Sequence, residues 1–215
     1  MRSFIKTHKY FWIVPAYGLF YILAFIYVEN NLPDDYVLIH TAIDDMIPFF
    51  EGFIILYYYW FLYMAVTIYF IVNSGKENFL RTAILMMIGM TLFVIVSIVY
   101  PNGHDLRPSE FARDNIFVKL TKFIYSTDPP RNILPSIHVF NSIGCHIGFV
   151  HAIRKMEKIK HERVMYIFSL VSCVLISVST LFVKQHSVVD VGSAVLLSVI
   201  LYFICFKSKI INRFT

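Results

Sequence analysis

Six apolar runs, broken by short polar intervals, decide what this chain can fold into. They predict helices over residues 11–28, 52–72, 82–100, 134–153, 164–183 and 188–206. Each is near the ~20 residues a helix needs to cross ~30 Å of hydrocarbon. Only helices or closed barrels satisfy every backbone amide in lipid, and these runs are continuous where a barrel strand would alternate. The expected fold is all-α: a polytopic membrane protein of six transmembrane helices, forming a single domain over 1–215, with an extracytoplasmic helical loop. Charged residues make up 15% of the chain, against the ~25% of a soluble domain, which agrees with that reading.

Basic residues mark alternate helix ends. Arg2, Lys6 and Lys9 precede the first run, and Lys76 and Arg81 lie between the second and third. Arg154, Lys155, Lys158, Lys160 and Arg163 lie between the fourth and fifth, and Lys207, Lys209 and Arg213 follow the sixth. Thus 13 of the 19 basic residues share one side, which the positive-inside rule puts in the cytoplasm together with both termini. The expected location is the cell membrane, multi-pass, with connections 29–51 and 101–134 extracytoplasmic. The formal charge of +5 reads as this topology signal plus some attraction to anionic lipid, and no nucleic-acid footprint is present. The first run is too long for a signal-peptide core and lacks a small-x-small cleavage site, so it is expected to stay as a helix. Cys145, Cys173 and Cys205 lie inside apolar runs, where the expected state is reduced and packed.

The intervals carry structure of their own. Connection 29–51 is acidic, and Tyr36–Phe50 is expected to form a short surface helix before Pro48 turns the chain inward. Connection 101–134 opens on the turn-rich Pro101-Asn102-Gly103, has the spacing of an amphipathic helix over 111–125, and closes on Asp128-Pro129-Pro130. A connection of this length is expected to form a lid or rim over the helix ends. Asn73-Ser74-Gly75-Lys76 predicts a tight turn and an antiparallel helix pair, and Gly89 allows close helix contact. His146 and His151 are expected to be structural.

Three polar clusters fall at the same outer depth: Lys184, His186 and Asp190; Pro135-Ser136-Ile137-His138; and Arg107-Pro108. His186 and Asp190 are four apart and share a face if a helix starts between them. A carboxylate there fixes the imidazole tautomer and makes its other nitrogen a better nucleophile or base. The blander reading is an interfacial histidine beside a helix-start aspartate, and the pair alone does not separate the two. Ser136 is a cap for the fourth helix, whose first amides make an anion site. A pocket of Arg107, Ser136, those amides and the region of Thr180 and Lys184 would suit a phosphoryl group. Within it, His186 attacks phosphorus in line, while His138 protonates the departing oxygen and later deprotonates water. No cluster resembles a metal site. Arginine, serine and backbone amides are expected to stabilise the charge, with no cofactor.

These motifs resemble the type 2 phosphatidic acid phosphatase (PAP2) superfamily, which also includes vanadium-dependent haloperoxidases. Its P-S-x-H motif is intact as Pro135-Ser136-Ile137-His138. Its S-R-x5-H-x3-D motif stands as Ser179-Thr180-x5-His186-x3-Asp190, with threonine in place of arginine. Of K-x6-R-P only Arg107-Pro108 remains, with Pro101 where lysine is usual. The string from Ser179 to Asp190, with Asp45-Met46-Ile47-Pro48-Phe49, resembles the branch that includes inositol phosphorylceramide synthases and many bacterial homologues. The resemblance implies a phosphohistidine on His186, Asp190 as its orienter and His138 as general acid/base. It also implies that Arg107, Ser136 and groups near Ser179 hold the phosphate without a metal. Two motif cations are missing: either the pocket is weaker, or Lys184, Arg113 or Arg131 substitutes.

The expected substrate is a membrane lipid phosphomonoester or pyrophosphate: phosphatidate, phosphatidylglycerol phosphate or an isoprenoid (pyro)phosphate. A lipid phosphotransferase passing the phosphoryl-bearing group to an alcohol, and a non-catalytic lipid-binding or transport protein, stand as alternatives. Six membrane helices and the depleted cations disfavour a vanadate-using peroxidase. No oligomeric state is implied.

Overall fold

The computed structural model describes residues 9–31, 33, 35–156, 161–208 and 211. Arg2, Lys6, Lys158, Lys160, Lys209 and Arg213 of the charge argument lie outside the described residues. The long apolar stretches form helices, and the polar intervals end them. In chain order these are α1 (Ile13–Asn30), α2 (Ala42–Met46), α3 (Ile54–Asn73), α4 (Lys76–Val99), α5 (Ile116–Thr127), α6 (Ile137–Lys155), α7 (Glu162–Phe182) and α8 (Val188–Tyr202). A 3-10 turn leads into α1 and another into α3, and α8 runs on as a π-helical turn over Phe203–Lys207. The turn between α3 and α4 rests on Gly75, whose φ of 100° is open to glycine and strained for other residues.

Among the described residues five segments are long and apolar enough to cross a membrane: Tyr10–Asn30, Glu51–Asn73, Lys76–Val99, Glu162–Phe182 and Val188–Lys207. The sixth expected helix, α6, forms but is not among them. Its position explains its polarity. α6 packs against α3, α4, α7 and α8, so protein surrounds it and it needs no apolar face toward lipid. Its Asn141, Ser142 and Cys145 are buried, and a Cβ on its Gly148 would overlap Thr82 of α4. In return Gly89 of α4 makes room for Phe140 of α6, whose ring would overlap any Cβ placed there. Asn78 Nδ2 donates to Gly148 O at 3.0 Å across the same interface. The α1 helix is peripheral. It rests on α4 through the Tyr17 hydroxyl, 2.9 Å from both Met87 O and Thr91 Oγ1, and through Phe25 against Phe93.

The outer connections differ from the expectation in one respect. Residues 36–50 do not form a surface helix. Val37–Leu38 instead pair in parallel with Asn102–Gly103, joining the two connections, and the helix shrinks to α2. Thr41 and Asp44 cap it reciprocally, so the helix begins only after the strand has used its backbone groups. His40 adds a second tie, its ring nitrogens 2.7 Å from Asp105 and from Asp45. The amphipathic helix of the long connection is α5, starting later than 111 because Asn115 caps it by accepting from Val118 N. Phe111 stays outside, edge-on to Phe49. The three cysteines are free and buried. His146 joins a buried network with Ser169 and Tyr63, and His151 packs on Phe206.

Candidate active site

The site begins with a reversal of the chain between α7 and α8. Thr180 O accepts from both Gln185 N (2.9 Å) and His186 N (3.2 Å), and Lys184 takes a left-handed φ of 52° to permit it. Ser187 then caps α8 in a box with Asp190. Asp190 is fully buried; its Oδ2 accepts from Ser187 N at 2.8 Å and from His186 Nδ1 at 3.3 Å. An ionised carboxylate only accepts, so Nδ1 carries the proton and the neutral ring has its lone pair on Nε2.

A residue far away in sequence holds this reversal. Asp44 of α2 accepts from Val188 N through Oδ1 (2.8 Å) and from the Ser187 hydroxyl through Oδ2 (2.7 Å). Its own carbonyl accepts from Lys184 Nζ at 2.7 Å. Burial alone would raise the Asp44 pKa, but the Val188 amide, the Ser187 hydroxyl and Thr41 outweigh it and hold the carboxyl below its usual range. On the opposite side, Ser136 caps α6 and its amide donates to Asp190 O at 3.2 Å, tying the α6 and α8 starts together.

His138 enters from the first turn of α6. Its ring packs on Tyr57 and Trp60 of α3, at centroid distances of 4.5 and 4.7 Å, and lies 6.1 Å from the His186 ring. Both imidazoles line one cavity of about 200 Å³, together with Asp128, Arg131, Asn132 and Gln185. Tyr21, Phe25 and Phe93 form its apolar wall on the α1–α4 side.

Of the expected site residues, the structure thus brings His138, His186 and Asp190 together. Arg107 stands one layer back: its guanidinium donates to Tyr125 O, Asp128 O and Gln185 Oε1, and lies 4.3 Å over the Tyr125 ring. Burial lowers its pKa from the usual arginine value. Ser136 acts as a buried cap. The hydroxyls of Ser179 and Thr180 turn back onto Ile176 O and Ser177 O, away from the cavity lining. Lys184 and Arg113 are engaged elsewhere, on Asp44 O and on Glu51 (3.0 Å). Of the three candidate substitute cations, Arg131 lines the cavity.

Asp128, Asn132, Gln185 and Asp44 were not singled out by the sequence, nor was His104. Each sits in an outer connection or turn with no motif spacing to mark it. His104 is buried; its Nδ1 accepts from Leu106 N, so Nε2 donates to Gln185 O at 3.1 Å. Burial, then His186 and Arg107, push its pKa down to about 4. Burial raises the Asp128 carboxyl, opposed by His186 and Arg107. Among the described residues no three His, Cys, Asp or Glu side chains group so as to hold a metal ion.

A neutral Nε2 on one imidazole, a second imidazole across the cavity and a guanidinium at its rim can perform nucleophilic displacement with acid/base assistance. The sequence model of the PAP2 superfamily matches residues 105–213, just over half of the chain. No curated protein and no solved structure matches the chain.

Proposed function

The chain belongs to the PAP2 superfamily, and from that premise we propose that it hydrolyses a lipid phosphomonoester or pyrophosphate through a phosphohistidine at the extracytoplasmic face. One observation carries the reading: His186, backed by Asp190, and His138 line the same cavity from the starts of two different helices. His186 Nε2 attacks phosphorus as the P–O bond opposite it breaks, and His138 gives the departing oxygen its proton. Water, deprotonated by His138, then attacks the phosphohistidine and releases phosphate. Arg131 at the rim and Gln185 Nε2, a buried donor with no hydrogen-bond partner among the described residues, hold the phosphoryl oxygens, and Arg107 positions Gln185. Ser136, Ser179, Thr180 and Lys184 shape the frame that presents the two histidines.

In the same reading α6 is the sixth crossing, screened from lipid by its neighbours, and both termini are cytoplasmic. The apolar wall of Tyr21, Phe25 and Phe93 favours a substrate drawn from the bilayer. Resemblance of the strings 179–190 and 45–49 to the inositol phosphorylceramide synthase branch favours a second reading, transfer of the phosphoryl-bearing group to an alcohol.

Detergent-solubilised protein with radiolabelled dioctanoyl phosphatidate or farnesyl pyrophosphate tests the proposal. We expect released phosphate and an acid-labile label on the protein. His186→Ala removes both. His138→Ala still takes up label from p-nitrophenyl phosphate, whose leaving group needs little protonation. Undiminished labelling of the His186 variant would identify another nucleophile and overturn the mechanism.

A further inference from the structure

The cavity is chemically two-sided. Facing the phosphoryl chemistry are donors, Arg131 and Gln185 Nε2. On the Asp128–Asn132 rim stand acceptors. Asn132 is 5% exposed, and its Nδ2 donates to Glu29 Oε1 at 2.8 Å. A carboxylate oxygen only accepts, so this bond fixes the amide orientation and leaves Oδ1 as a buried acceptor with no hydrogen-bond partner among the described residues. The Asp128 carboxylate borders the same cavity and forms no hydrogen bond among the described residues; its backbone carbonyl, not its side chain, holds Arg107. Two acceptors lining one cavity repel a phosphate dianion and leave a desolvated oxygen uncompensated until donors arrive. Neutral hydroxyls supply those donors without adding charge.

Resting on the phosphohistidine reading, we propose that Asp128 and Asn132 form a subsite for the hydroxyls of a polyol, the alcohol partner of the phosphoryl group. In an in-line displacement at His186 the departing and arriving oxygens occupy the same position, so one subsite reads both. The reacting hydroxyl faces His138 and gives it the proton as the new O–P bond forms and the P–N bond breaks. A neighbouring hydroxyl of the same polyol donates to Asp128 or Asn132 and orients it. A monoalcohol leaves these acceptors unpaired, and a site built to bond a hydroxyl discriminates strongly against the analogue that lacks it.

The test compares two acceptors of equal carbon count, glycerol and 1-propanol, supplied at equal concentration to the full-length protein with whichever phosphoryl donor above turns over faster. The expected result is transfer to glycerol exceeding transfer to propanol by about tenfold or more. Asp128→Ala should reduce that preference about fivefold or more, and the isosteric Asp128→Asn should reduce it less, since an amide oxygen still accepts. Equal transfer to the two alcohols, transfer to water alone, or an unchanged preference in both variants overturns the subsite and leaves the phosphohistidine reading standing. No turnover of any donor and no labelled protein removes the phosphohistidine reading, and this one with it.

Discussion

At the scale of single residues, Asp44 and His104 hold the turn that presents His186. Asp44 lies 143 positions before Ser187, yet its carboxylate satisfies the first donors of α8 beside His186. Asp44→Ala strands the half-buried Val188 N and Thr41 N and the buried Ser187 hydroxyl. It should cost about 2–4 kcal/mol of stability, read as a lower unfolding temperature in detergent. Phosphoprotein formation should fall with it, and Asp44→Asn should recover part of both. His104 gives a pH signature. Its folded pKa of about 4 lies below its ordinary 6.5, so the unfolded chain binds more protons between those values. The stability it contributes is present above pH 6.5 and lost as pH falls toward 4; a His104→Gln variant should flatten that acid limb in a series of thermal melts. Lys184 and Arg131 separate by function. Arg131→Ala should lower kcat/KM by roughly 30- to 1,000-fold, the loss of one preorganised donor, or about 2–4 kcal/mol. Lys184→Met should act mainly on stability, because its ammonium is spent on Asp44 O. Comparable kinetic losses in both would return Lys184 to the phosphate.

Among the elements, what the sequence disclosed followed from spacing, and what it hid followed from tertiary pairing. Helix existence, the Ser136 cap and the His186–Asp190 contact are local, within four residues, and all were legible. The strand at Val37–Leu38 was not, because its partner lies in another connection and neither segment alternates. Lys184 was misdirected for a physical reason too: at a φ of 52° the chain leaves the helical path, so a side chain two residues before His186 emerges on the other side. Asp128 and Asn132 reach the cavity only because the long connection folds back through Asn132 N to Asn102 O at 2.7 Å. The glycine expectation held in one specific place. Gly89 faces the Phe140 ring, so Gly89→Ala should cost about 1–3 kcal/mol by overpacking. Phe140→Leu, mildly destabilising alone, should offset part of that cost in the double variant. Additive losses would show that the two helices do not meet there.

For the whole molecule, the way the bundle faces decides from which side of the membrane the cavity is reached. All three polar clusters and both histidines sit at one end of the helices, the end that carries connections 29–51 and 101–134. The opposite end carries Lys76, Arg81, Arg154, Lys155 and Lys207, which the positive-inside rule assigns to the cytoplasm. On the proposed orientation, a lipid phosphate would reach the first end from the outer leaflet, past Tyr21, Phe25 and Phe93. Single cysteines report the orientation directly, and the fold says where to put them. Asn102 is unsuitable, since it is buried and its Oδ1 accepts from Ile133 N and Leu134 N. Ser109 on the outer connection and Lys76 at the opposite turn are exposed, while native Cys145, Cys173 and Cys205 are buried and give little background. Ser109→Cys should react with a membrane-impermeant maleimide in intact cells, and Lys76→Cys only after permeabilisation. The reverse pattern would put the cavity in the cytoplasm and require a soluble or inner-leaflet substrate. Labelling of both in intact cells would mean that α6 and its neighbours do not cross as a bundle.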